Sequence, residues 1–230
     1  MPPVAVVLAR LDSARFPGKA LIPLGGIPLI EWVYRRVRRA LPLSPVVLAT
    51  TGREIDNPLA SAFASLGGAV YRGLPDETLN VAKRFVSAAA SFDSTYALRI
   101  NGDSPFASAE LIEASLPLLD VGADLVTNIL PRSYPYGISL EAVRLEALAA
   151  HVPLLSPDEA EHVTAVFYRH PDKFRIQSLP PCSWEECPCR LTVDEPADLQ
   201  RMERIVSQIG GDPSLATLPE LIAAAKASHQ

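Results

Sequence analysis

The chain is predicted to be α/β, with a mostly parallel sheet flanked by helices. Three observations point there. Short apolar runs with no polar face recur, as in Val4–Leu8 and Val46-Val47-Leu48, and strands buried on both faces read this way. Segments with apolar residues at helical spacing lie between those runs. The two kinds alternate from the first residues to Asn128, the rhythm of strand–helix–strand units.

Taken in order, Val4–Leu8 is the first strand. Pro28–Ala40 is a helix, because Leu29, Ile30, Val33 and Val37 fall on one stripe. Pro45–Thr50 is the second strand and runs into Thr50-Thr51-Gly52. Asp56–Leu66 is a helix closed by Gly67-Gly68, the residue type that ends helices most readily. Val70-Tyr71-Arg72 is a short strand and Glu77–Ala90 a helix. Tyr96–Ile100 is a strand ending in Asn101-Gly102-Asp103. Ser108–Leu119 is a helix and Asp124–Asn128 a strand. The rhythm then breaks. Pro131–Glu141 is turn-rich, Glu159–His170 helical, Phe174–Leu179 a strand, and Arg190–Val193 a strand ending at Asp194. Pro196–Ile209 is a helix, followed by Gly210-Gly211 and a last helix near Pro219–Ala227. Pro180–Pro188 reads as a surface excursion.

The 230 residues suit one domain, 1–230, with a core over about 4–206 and a C-terminal helical extension over about 212–230. Hydrophobic residues make up 48% and charged residues 20%, which supplies a core and excludes a disordered chain. No apolar stretch approaches the ~18 residues of a membrane helix. The N-terminus lacks the basic region of a signal peptide, so a cytoplasmic chain with no membrane partner is expected. A net charge of −5 argues against nucleic-acid binding. Arg35, Arg36, Arg38 and Arg39 read as a solvated helix face. Trp32 and Trp184 read as packing residues. Cys182, Cys187 and Cys189 match zinc spacing poorly and have no nearby histidine, so they read as free thiols in a loop.

In open α/β sheets ligands bind beyond the carboxyl ends of the strands. After the first strand come Ala9-Arg10-Leu11-Asp12-Ser13-Ala14-Arg15-Phe16-Pro17-Gly18-Lys19. Arg10, Arg15 and Lys19 sit there with Asp12 as the one acid. Arginines supply forked donors and lysine a compact charge, a set suited to a polyphosphate; the alternative is a solvated loop. A Walker A loop is excluded, because Ser13 stands where glycine is required and Ala20 follows Lys19. No Gly-x-Gly-x-x-Gly fingerprint occurs. Asp103 and Asp194 each follow directly on an apolar strand. Mg²⁺ usually takes one or two carboxylates plus substrate phosphates; the alternative is that each acid caps the next turn or helix.

Ala9-Arg10-x-x-Ser13-x-Arg15-x-Pro17-Gly18-Lys19 resembles the N-terminal signature of the cytidylyltransferases that make CMP-activated acid sugars, the CMP-Kdo synthetases and acylneuraminate cytidylyltransferases. It is most similar to their spore coat polysaccharide cytidylyltransferase-like branch. Tyr71-Arg72-Gly73, Arg99–Pro105, Tyr134-Pro135-Tyr136-Gly137, Glu161-His162-Val163-Thr164, His170–Phe174 and Leu191–Leu199 match as well, so the likeness spans residues 4 to 206. It implies a nucleotide-diphospho-sugar transferase fold (GT-A-like, Rossmann-like). It also implies CTP as donor, Mg²⁺ as cofactor, a small acidic acceptor, pyrophosphate release and a homodimer. By matched position, Arg10, Arg15 and Lys19 bind the triphosphate, with Arg10, Lys19 and Asp103 as the catalytic set. Asp103 and Asp194 hold metal. Arg72 and Asn101 lie near nucleotide or acceptor. Leu8, Ala9, Ser13, Thr50 and Thr51 would complete the nucleotide site, the first two and the threonines around the base. Tyr136, Glu141 and His162 are candidate acceptor contacts; for Glu141 the alternative is a solvated side chain, for His162 a structural one. The branch carries acids where Tyr136 and Ser139 stand here, so the acceptor side departs from its pattern. The rival activities are a GT-A glycosyltransferase, which would want Asp-x-Asp where this chain has Asn101-Gly102-Asp103, and a non-catalytic nucleotide-binding protein.

Overall fold

The computed structural model describes residues 3–181 and 189–228. Seven strands form the main sheet: β1 (Val4–Leu8), β4 (Val46–Thr51), β5 (Ala69–Gly73), β6 (Tyr96–Asn101), β7 (Leu125–Thr127), β8 (Glu141–Arg144) and β9 (Ile176–Ser178). Their order is β5-β4-β1-β6-β8-β7-β9. β1 is parallel to β4 and β6, β4 to β5, and β7 to β9; β8 alone runs antiparallel to its neighbours. From β1 the chain moves outward through β4 and β5, then returns to the other side of β1 as β6. The carboxyl ends of β1 and β6 therefore form the crevice where such sheets bind ligands.

Alternating side chains of β1 feed two cores. Ala5 and Val7 join a cluster with α1 (Leu29–Ala40), α4 (Ala109–Asp120), α8 (Pro196–Ser207) and α9 (Leu218–Ala227), centred on Trp32, Phe106, Met202 and Leu221. Val4 and Val6 join a second cluster with Phe85 of α3 (Val81–Ala90), Leu148 of α5 (Leu145–Ala149) and Phe167 of α7 (Ala165–Arg169). Trp32 is fully buried and its indole donates to Leu24 O at 2.8 Å, the packing role expected of it; Trp184 lies outside the described residues. No helix among the described residues is long and apolar enough to cross a membrane.

The structure corrects two expectations and adds elements that the sequence did not announce. A small antiparallel hairpin, β2 (Pro23–Leu24) and β3 (Ile27–Pro28), turns on Gly25 and Gly26, both at positive φ, the conformation a two-residue hairpin demands. The turn-rich segment ends in a true strand, β8, beginning at Glu141. The predicted helix Glu159–His170 is two short ones, α6 (Pro157–Glu161) and α7, separated at His162-Val163-Thr164, because His162 leaves helical geometry with ψ at 60°. Among the described residues Arg190–Val193 forms no strand, and Arg190 makes only an isolated bridge with Tyr136.

The arginine-rich face of α1 is not uniformly solvated either. Arg36 is 1% exposed and donates to Ala107 O at 2.6 Å, Ser214 O at 3.2 Å and Ala216 O at 2.8 Å. Burial lowers its pKa to about 10, against the field of Glu110. It clamps the segment before α9 onto α1. Arg36→Met strands three carbonyls and is expected to cost about 1–3 kcal/mol by denaturant unfolding, with turnover unchanged. A loss of turnover without a loss of stability would contradict this clamp role.

Candidate active site

Two cavities of about 370 Å³ each open at the carboxyl ends of the strands, and His162 lines both. The first lies over β1 and β6. Leu8, Ala9, Arg10, Ser13, Arg15, Lys19, Asp103 and Asp194 line it. Its floor is a close backbone approach. Gly102 donates to Leu8 O at 2.9 Å, and a Cβ on Gly102 would stand 2.6 Å from that of Ala9. Only glycine lets the loop after β6 lie this near β1.

The basic loop is held at both ends through Leu11. Its carbonyl accepts from Gly18 N at 2.7 Å, and its N–H donates to the buried Asp56 at 2.7 Å. Gly18, at φ 75°, turns the chain into the short helical turn that carries Lys19. Asp12 meets Arg10 at 3.4 Å and Arg53 at 2.7 Å.

Asp103, just past β6, and Asp194, just before α8, converge on one ammonium. Lys19 Nζ lies 3.0 Å from Asp103 Oδ2, 3.1 Å from Asp194 Oδ1 and 2.8 Å from Val193 O. Asp194 also meets Arg15 at 3.0 Å and Arg190 at 3.1 Å. Burial pushes the Asp194 carboxyl up, but Lys19, Arg15 and Arg190 together hold it below the usual carboxylate range, so it is ionised at neutral pH. Neither acid caps a helix. Asp198 accepts from Asp194 N at 2.8 Å and Glu195 N at 3.1 Å to open α8, and Ser108 caps α4. Among the described residues no three His, Cys, Asp or Glu side chains cluster as a metal site. Two carboxylates and a carbonyl around one cation are nonetheless hard oxygen donors of the kind Mg²⁺ takes together with phosphates.

Not every residue expected at the nucleotide site reaches this cavity. Thr50 and Thr51 are fully buried at the end of β4, one strand too far across the sheet, and the Thr51 hydroxyl is engaged by Asp56. Arg72, on β5, donates to Arg53 O at 2.7 Å and also lies off the wall. Asn101 faces the second cavity instead. Conversely, Arg84 of α3 lines the first cavity and was not singled out in the sequence. It is 2% exposed, its Nη1 donates to Glu77 O and Thr78 O, and its Nε is buried without a partner. Burial, then the nearby Arg10, lowers its pKa. The available signal was an arginine on the same helical stripe as Val81, Phe85 and Ala88.

The second cavity is lined by Arg99, Asn101, Arg132, Tyr136, Glu141 and His162, with Thr164, Tyr168 and Arg169 among its other walls. Glu141 is 2% exposed rather than solvated. Its carboxylate takes Arg99, the Thr164 hydroxyl and, at 2.7 Å, the Tyr168 hydroxyl. Burial pushes Glu141 up, but Arg99 and the two hydroxyls outweigh it and hold the carboxyl low. Arg99 Nε is buried and unpaired. Tyr136 is half exposed, with the Arg132 guanidinium 4.8 Å and that of Arg190 4.5 Å from its ring centre. His162 is exposed, 3.7 Å from Asp158. Cys189 is disulfide-bonded, not a free thiol; Cys182 and Cys187 lie outside the described residues.

The model of the cytidylyltransferase family matches residues 4–204. The chain belongs to that family. The spore coat polysaccharide biosynthesis protein SpsF of Bacillus subtilis (strain 168) is 30% identical over 219 residues, covering 92% of this chain and 89% of that one. A cytidylyltransferase structure from Leptospira borgpetersenii superposes with a TM-score of 0.89 at 22% identity, over 99% of this chain and 94% of that one. A CMP:2-keto-3-deoxy-manno-octonic acid synthetase solved with CTP gives 0.69 at 20% identity, over 90% and 99%. The fold is the mixed, mostly parallel sheet of these nucleotidyltransferases. The cytidylyltransferase is a nucleotidyltransferase rather than a nucleotide-sugar-dependent glycosyltransferase.

Proposed function

We propose that the cytidylyltransferase moves CMP from CTP to a small acidic acceptor and releases pyrophosphate. One observation carries the reading: two cavities of equal size meet at His162, one over the signature loop and the other walled by arginines. In this reading the first holds CTP, with Arg10, Arg15, Lys19 and Arg84 around the phosphates and Leu8, Ala9 and Ser13 nearer the nucleoside. The unpaired Arg84 Nε then finds an acceptor. Asp103 and Asp194 would hold Mg²⁺, which when bound would supply charge stabilisation to the phosphates. The second cavity holds the acceptor. Arg99 offers its unpaired Nε to an acceptor anion, Arg132 and Tyr136 form the rim, and His162 stands where the two substrates meet. Glu141 acts through Arg99, which it holds in place.

An acceptor oxygen, already ionised, attacks the α-phosphorus. A new oxygen–phosphorus bond forms, the α–β bridge breaks, and the electron pair leaves on pyrophosphate. The enzyme contributes position and charge stabilisation, so no nucleophilic dyad is needed. A homodimer belongs to the same reading, and light scattering reads it directly. The test is pyrophosphate release from CTP and Mg²⁺ with a panel of sugar acids and phosphonates, with UTP, ATP and GTP as controls. Release specific to CTP and one acidic class supports the reading. Preference for a purine triphosphate, or release with neutral acceptors only, would overturn it.

A further inference from the structure

The Lys19 ammonium occupies the point that the Asp103 and Asp194 carboxylates share. Its contacts at 3.0, 3.1 and 2.8 Å, to Asp103, Asp194 and Val193 O, are all to hard oxygens. Its side chain is 12% exposed, so water screens these contacts little. It is a cation seated among the donors a divalent cation would use.

Charge at this point is already more than balanced. The two carboxylates are met by Lys19, Arg15 and Arg190, and Arg15 and Arg190 both bind Asp194. A further divalent cation entering here meets net positive charge. Room returns only when the Lys19 ammonium leaves; Arg15 and Arg190 still offset the two carboxylates then, so the charge of an entering divalent cation is answered by the triphosphate that comes with it. Lys19 lines the cavity, whose walls also carry Arg10, Arg15 and Arg84. With no anion in that cavity, departure trades three oxygen contacts for repulsion. With a triphosphate there, the ammonium exchanges carboxylates for phosphate oxygens and keeps its ion pairs. A lysine suits such a move: it is a compact charge on a flexible four-carbon stem, whereas arginine is a rigid fork.

We propose that Lys19 is a resident counter-ion of the Asp103–Asp194 pair that keeps a divalent cation out until a triphosphate draws it away, so that metal and nucleotide bind as one unit. The proposal rests on the donor-site reading above. Coupling of this kind is reciprocal: the nucleotide raises metal affinity by the factor by which the metal raises nucleotide affinity.

Mn²⁺ serves as the probe, followed by electron paramagnetic resonance and by water-proton relaxation, which separates protein-held metal from metal held by free CTP. Wild-type protein is expected to bind Mn²⁺ weakly alone and at least tenfold more tightly with CTP. Lys19→Met is expected to bind Mn²⁺ alone at least about tenfold more tightly than wild type, since one like charge at contact distance is gone. Lys19→Arg, which keeps the charge, retains weak binding and shows whether the position tolerates change; thermal melting confirms that each variant is folded. Adding Asp103→Asn to Lys19→Met should abolish the gain. Unchanged or weaker Mn²⁺ binding in folded Lys19→Met would overturn the counter-ion role while leaving the donor site standing. No protein-held Mn²⁺ in wild type even with CTP would instead overturn the donor-site reading.

Discussion

Asp103→Asn and Asp194→Asn are each expected to lower turnover at least about a hundredfold, a loss of roughly 2.7 kcal/mol of transition-state stabilisation. Asparagine keeps shape and much of the hydrogen bonding but removes the charge. A capping role would survive the change, because asparagine caps nearly as well as aspartate. The geometry has already assigned capping elsewhere, to Ser108 before α4 and to Asp198 at the start of α8. The two variants should differ in stability. Asp103 meets Lys19 and the neighbouring Ser104 hydroxyl, so its replacement should leave the melting temperature nearly unchanged. Asp194 answers Lys19, Arg15 and Arg190 at once, so its replacement leaves three cations facing one another and should lower it measurably. Turnover across a Mg²⁺ titration, with melting recorded alongside, decides the matter. Near-normal turnover in either variant at low Mg²⁺ removes that residue from the proposed metal site.

What the sequence revealed follows the physics of burial. β1 and β4 are Val-, Ala- and Leu-rich runs buried almost throughout, and β6 buries Ala97, Leu98 and Ile100, so their apolar composition marked them, and the acids that follow two apolar runs were legible as positions. What a one-dimensional reading lacked was strand order. Thr50-Thr51 and Asp103 look equivalent, each just past or at a strand end, yet the crevice lies between β1 and β6, and β4 is on the far side of β1. Both threonines are therefore buried, the Thr51 hydroxyl against Asp56, while Asp103 reaches the cavity. β8 escaped notice because Glu-Ala-Val-Arg is four residues with a charge at each end; it is a strand because β6 supplies Arg99 opposite Glu141. Arg36 read as a surface charge and Arg84 was not singled out, and only three-dimensional packing shows their guanidiniums capping carbonyls inside the molecule. The break at His162 was hidden for a related reason. Its cause is tertiary, since the turn aims the Thr164 hydroxyl at Glu141.

Glu141→Leu is the substitution expected to cost the most stability. It removes the carboxylate that answers Arg99 and orphans the Thr164 and Tyr168 hydroxyls around it. Breaking one side of a buried pair typically costs about 3–5 kcal/mol, because the surviving charge stays buried without a partner. In a chain of this size each kcal/mol corresponds to a melting shift of roughly 2–4 °C, so the loss should be plain by calorimetry. Glu141→Leu combined with Arg99→Met should recover much of it, because neither charge then remains unpaired. The pH dependence has a definite sign. The folded-state pKa of Glu141 is depressed, so its contribution is fully present above the unfolded carboxylate value of about 4.3 and is lost as pH falls through the lower folded value. The stability gap between wild type and Glu141→Leu should thus be flat through neutral pH and narrow only in acid. If the gap instead narrowed on raising the pH from 5 to 8, or if the double variant were no more stable than the single one, the buried pair would not be the source of the loss.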